Sequence, residues 1–75
     1  MSIHISEVKK TAENLASADL HDDPYHQNIK QTAQQLVAAG MGDWHYGTSY
    51  ASGNTSWYND DGTSMTVTKI ETIEV

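Results

Sequence analysis

The character of the chain switches near Gly42, and that switch limits the fold more than any other feature. Before it, apolar residues recur every three or four positions; after it, Trp, Tyr, Thr and Val dominate and two turn signals interrupt them. A period of 3.6 followed by alternating, β-prone residues implies helices first and strands second. The expectation is an α+β fold of order ααβββ, a two-helix hairpin packed on a three-stranded antiparallel meander.

Ser6 is placed to cap a first helix over 6–18, with Glu7 in its first turn where the helix dipole favours an anion. Ile5, Val8, Ala12, Leu15 and Ala16 form its apolar face, and Lys9, Lys10, Glu13 and Asn14 fall mainly on the other. The sequence His21-Asp22-Asp23-Pro24 is the sharpest punctuation in the chain. Asp23 suits an N-cap, and the sole proline suits a first helical position, where its missing N–H costs nothing. The second helix is predicted from Pro24, with Tyr25, Ile29, Ala33, Leu36 and Val37 facing inward, Gly40 ending it and Met41 packing beside that end.

Beyond Gly42, breaks at Ala51-Ser52-Gly53-Asn54 and Asp60-Asp61-Gly62 predict strands near 43–50, 54–60 and 63–73. Trp44, Tyr46 and Tyr50 share one parity. Met65, Val67, Ile73 and Val75 share another that Ile70 breaks, so a bulge is expected near Lys69 or Glu71. Trp57 and Tyr58 are neighbours on a strand and must point to opposite faces, which leaves one of them exposed.

Composition bears on stability and on partners. In 75 residues, Leu, Ile and Val number 12 and Phe is absent. The two Trp and four Tyr must therefore supply much of a small core. With no cysteine there is neither a disulfide framework nor a thiolate metal site. No signal peptide and no membrane span is recognisable, which points to a single domain in a reducing cytoplasm. Ten carboxylates face four lysines and no arginine, for a net charge of −6. Phosphate recognition needs several cationic contacts, so direct nucleic-acid binding is not expected. Such a surface is attracted instead to basic patches on other proteins.

Three groups of side chains bear on chemistry. Four histidines, His4, His21, His26 and His45, raise the question of a metal, but His21 and His26 straddle the expected cap; they read as surface imidazoles beside capping aspartates, with no metal site and no cofactor. Ser49 or Ser56 with His45 and Asp43 can be drawn as a catalytic triad. No nucleophile-elbow motif surrounds either serine, and a non-enzymatic protein is expected. The carboxylates fall at Asp22-Asp23, at Asp60-Asp61 and at Glu71 with Glu74, and Asp43 lies in a segment able to approach the first group. Together with Tyr58, an aromatic beside carboxylates, they are the candidate partner-binding residues.

The aromatic, acidic stretch from Asp43-Trp44-His45-Tyr46-Gly47-Thr48-Ser49-Tyr50 through Asn59-Asp60-Asp61-Gly62 resembles the anti-CRISPR proteins, small acidic single domains encoded by phages. The resemblance is one of general character over the whole chain. These proteins share no motif, so it transfers no residue role. What it implies is a partner and a mechanism: a basic nucleic-acid-binding protein, such as a type I CRISPR effector complex, whose DNA-binding surface is occupied by carboxylates standing in for phosphates, with the inhibitor a monomer or weak homodimer. The alternative is a phage accessory or toxin-neutralising interaction protein without mimicry.

Overall fold

A computed structural model describes residues 2–49 and 53–68. Two N-terminal helices pack against a three-stranded antiparallel sheet, as the change of periodicity implies. Among the described residues the elements are a 3₁₀ turn (Ile5–Glu7), α1 (Ala12–Ser17), α2 (Pro24–Ala38), β1 (His45–Ser49), β2 (Asn54–Tyr58) and β3 (Ser64–Thr68). The sheet order is β1-β2-β3.

The single helix expected over 6–18 is instead a 3₁₀ turn, an extended link and a short α1. Ser6 does not cap an α-helix; it lies inside the 3₁₀ turn, which His4 caps, and Thr11 caps α1. The reason is tertiary. Thr11 forms an antiparallel bridge with His45, and the Tyr46 N–H donates to the Lys10 carbonyl at 2.7 Å, so this stretch serves as an edge partner of β1. The first amides of α1 are satisfied in the same way, Ala12 N–H by the Trp44 carbonyl and Glu13 N–H by the Gly42 carbonyl, both at 2.8 Å. The apolar spacing nevertheless identified the right residues: Ile5, Ala12 and Leu15 are buried, and Val8 and Ala16 pack against them.

α2 begins at Pro24 behind its Asp23 cap. It ends in a Schellman motif in which the Met41 N–H reaches the Leu36 carbonyl at 2.8 Å, the Gly40 N–H reaches that of Val37 at 3.0 Å, and Gly40 has a φ of 79°. Met41 packs on the core, as expected. The inward face is rotated from the one read in the sequence. Ile29, Ala33 and Leu36 are buried, but Tyr25 and Val37 are 46% and 42% exposed, and His26, Asn28 and Thr32 lie inside instead. Three polar side chains occupy a face that hydrophobicity alone assigns to their apolar neighbours.

β1 starts two residues later than expected and β2 ends two residues earlier. The part of the third strand beyond Thr68, including the expected bulge near Lys69 or Glu71 and the facing of Ile70, Ile73 and Val75, lies outside the described residues, as does Tyr50. The register is irregular between Tyr46 and Thr48, around Gly47. On the inner face Tyr46 pairs with Trp57, and their rings meet edge to face at 5.5 Å. Trp57 is fully buried and Tyr58 is 42% exposed, as alternation requires. The β2–β3 turn spans Asn59 to Thr63, with Gly62 at a φ of 94° and its N–H on the Asn59 carbonyl at 3.1 Å.

Gly47 is needed for space rather than for its φ: a Cβ there would overlap the Tyr58 ring, which lies across it. Gly47→Ala is therefore expected to cost roughly 1–3 kcal/mol as an overpacking change. Adding Tyr58→Ala removes the overlapping ring, so the double variant should lose less than the sum of the two single changes. Urea melts of the four proteins measure this, and additive losses would show that the Tyr58 ring does not occupy the space above Gly47.

Candidate partner-binding surface

The described candidate carboxylates lie in three places along the chain. Asp22 and Asp23 precede α2, and Asp60 and Asp61 form the turn after β2. Asp43 is exposed in the turn leading to β1. Glu71 and Glu74 lie outside the described residues.

Local chemistry uses some of these groups and leaves others open. Asp61 accepts from the Thr63 N–H at 2.9 Å and from its hydroxyl at 2.7 Å, an Asx turn that closes the hairpin. Those two bonds, the hydroxyl one foremost, hold its carboxyl below the usual carboxylate range. Asp23 accepts the His26 N–H at 2.8 Å and faces the His26 Nδ1 at 2.9 Å. The backbone bond is the main reason that its carboxyl, too, sits low. Asp22 is exposed.

Asp60 differs from both. It meets the His45 Nε2 at 2.6 Å, yet its side chain remains 82% exposed. His45 in turn pairs with Tyr58 across β1 and β2, so one end of the outer sheet face brings together Tyr58, His45 and Asp60. Spacing along the chain gave no sign of His45 as the link between them, because strand pairing alone makes it one. The triad drawn from Ser49 or Ser56 with His45 and Asp43 does not take this form, since the partner of the His45 Nε2 is Asp60.

The histidines near α2 correct another expectation. His26 is not a surface imidazole: it is only 4% exposed, and its ring lies 4.6 Å from that of His4 and 5.0 Å from that of His21, with His4 and His21 6.0 Å apart. Contact of the N-terminal segment with the start of α2 and the residues before it builds this cluster, bringing His4 to His21 and His26. Among the described residues no group of three or more His, Asp or Glu is arranged to hold a metal ion. Elsewhere, burial chiefly, helped by the Tyr25 hydroxyl at 3.4 Å, pushes the Tyr46 hydroxyl far above the ordinary tyrosine range.

Because Asp61 and Asp23 have lowered values in the fold, the unfolded chain takes up their protons first as pH falls. Their contribution is complete above about pH 3.9 and is lost as pH drops through the folded values. Thermal melts between pH 5 and pH 2 should show declining stability. In Asp61→Asn, which still accepts from Thr63 but does not titrate, the decline should be shallower. Superimposable pH profiles for parent and variant would contradict a folded-state bond to ionised Asp61.

No protein-family model matches this chain, and neither a curated protein nor a solved structure matches it.

Proposed function

We propose that this protein is a non-enzymatic inhibitor that occupies the basic nucleic-acid-binding surface of a protein partner, with carboxylates acting in place of DNA phosphates. The observation that carries this reading is the end of the sheet where Tyr58, 42% exposed, neighbours His45 and the 82% exposed Asp60. An exposed aromatic supplies contact area at a small entropic cost, and exposed carboxylates around it steer a basic surface into place. Asp22, Asp43 and Asp61 are further exposed anions, and the chain holds only four lysines and no arginine to offset its ten carboxylates. A type I CRISPR effector complex in a bacterial host cytoplasm is the partner that this chemistry and the phage-protein resemblance favour. The inhibitor would act as a monomer or weak homodimer.

The test is competition between this protein and target DNA for a purified type I effector complex. Affinity should fall at least tenfold as salt rises from about 0.05 to about 0.3 M, because added ions screen the attraction. A variant carrying Asp22→Asn, Asp60→Asn and Asp61→Asn, shown to be folded, should displace DNA at least tenfold less well. If that variant competes as well as the parent, mimicry is excluded. Should Tyr58→Ala alone then abolish binding, the aromatic surface, rather than charge, carries the contact.

A further inference from the structure

The three-histidine cluster lies outside the surface just described, and two of its rings are held in ways that depend on protonation. His4 caps the 3₁₀ turn with an unprotonated Nδ1, which accepts the Ser6 N–H at 3.1 Å. Its own backbone N–H donates to the Glu7 carboxylate at 3.0 Å. The same Nδ1 lies 2.9 Å from the Ser6 hydroxyl, so a proton on it would donate to that oxygen and leave the Ser6 N–H without its cap. His26 is the reverse case. Its Nδ1 faces both oxygens of Asp23, at 3.0 and 2.9 Å, so the neutral ring carries its proton there and leaves Nε2 bare. That Nε2 is buried without a hydrogen-bond partner. Protonating it would place an N–H with no acceptor inside the protein.

The N-terminal segment forms one wall of the cluster. It is held by a parallel bridge between Ile3 and Leu20, with the Ile3 N–H on the Asp19 carbonyl at 2.8 Å and the His21 N–H on the Ile3 carbonyl at 3.1 Å. Ser2 Oγ is 3.0 Å from the His21 Nδ1, a contact that a hydroxyl can make as donor or acceptor. Among the described residues, the ionisable groups near the cluster along the chain include Glu7 on the segment itself, Asp19, Asp22 and Asp23 on the connection to α2, Lys30 one turn beyond His26, and Tyr25, whose ring lies 5.1 Å from that of His26. The carboxylates attract positive charge. They do not supply an acceptor at the His26 Nε2 or free the His4 Nδ1.

We infer that the His4–His21–His26 cluster is a proton-sensitive latch that holds the N-terminal segment, residues 2–7, against α2 when the rings are neutral and releases it when His4 and His26 are protonated. Release lets water accept from the His26 Nε2–H, frees His4 from the cap and separates two rings that would otherwise carry like charges 4.6 Å apart. The released state binds more protons than the latched one. Latching is therefore strongest where the rings are neutral and weakens as falling pH protonates them.

Amide hydrogen exchange on the full chain at pH 7.5 and pH 5.0, corrected for intrinsic rates, tests this. Protection of the Ile3 and His21 amides should fall at least tenfold at the lower pH, while the Thr55 and Trp57 amides in β2 keep theirs. His45, paired with Asp60 away from the cluster, serves as the reference imidazole in a parallel NMR titration. His4→Asn caps the turn with an oxygen that accepts at either pH, at a position already exposed, so it should remove the His4 share of the pH dependence and leave that of His26. Equal protection of Ile3 and His21 at the two pH values in the parent, or the full loss persisting in His4→Asn, would overturn the latch.

Discussion

A chain of buried hydroxyls joins the two layers of this fold. The Trp57 indole N–H donates to the Thr55 hydroxyl at 2.6 Å, Thr55 donates to the Thr32 hydroxyl at 3.0 Å, and Thr32 donates to the Ile29 carbonyl at 2.9 Å. Each hydroxyl accepts one hydrogen bond and donates another. Trp57, Thr55 and Thr32 are all fully buried. In so dry a place an unmade bond is costly, so the chain fixes which face of β2 meets α2 and how far along the helix it sits. The rotated face of α2 follows from it: Thr32 turns inward to receive Thr55, and Tyr25 and Val37 turn partly outward.

This constraint also marks the limits of what the sequence discloses. The sequence showed the helix-then-strand order, the start of α2 at Asp23-Pro24, its end at Gly40 and the opposite facing of Trp57 and Tyr58, because each depends on local backbone chemistry or on strict alternation. It did not show the break between Glu7 and Ala12. The helical spacing there is real, but pairing of Lys10 and Thr11 with β1 outweighs it, and nothing local reports a partner more than thirty residues away. Nor did it show that Thr32 and His26 are buried, since a polar residue turns inward only when a distant group satisfies it. In the candidate site, the turn role of Asp61 and the exposure of Tyr58 were legible. The link between Asp60 and Tyr58 through His45 required the register of β1 and β2.

The same division separates stability from recognition. Among the described residues, the buried polar groups are His26, Asn28, Thr32, Thr55 and Ser56, and none is a carboxylate. Asp60 and Asp22 are peripheral to the core, so their charges can be removed without opening it. Asp23 and Asp61 also serve the backbone, yet in each an amide oxygen can make the same backbone bond. The exposed carboxylates can thus change while the hydroxyl chain and the packed aromatics hold the layers. At the N-terminal end the histidine cluster attaches one further segment by contacts that depend on the charge state of the rings.

Coupling between Thr32 and Thr55 tests most directly whether this chain joins the layers. Thr32→Val leaves the Thr55 hydroxyl without its acceptor and should cost about 1–3 kcal/mol. Once Thr55 is already Val, the same change has no donor to orphan and should cost clearly less. A double-mutant cycle by urea denaturation is expected to give a coupling of about 1 kcal/mol or more. Losses that add to within about 0.3 kcal/mol would contradict the account, since the two hydroxyls would then stabilise the fold independently.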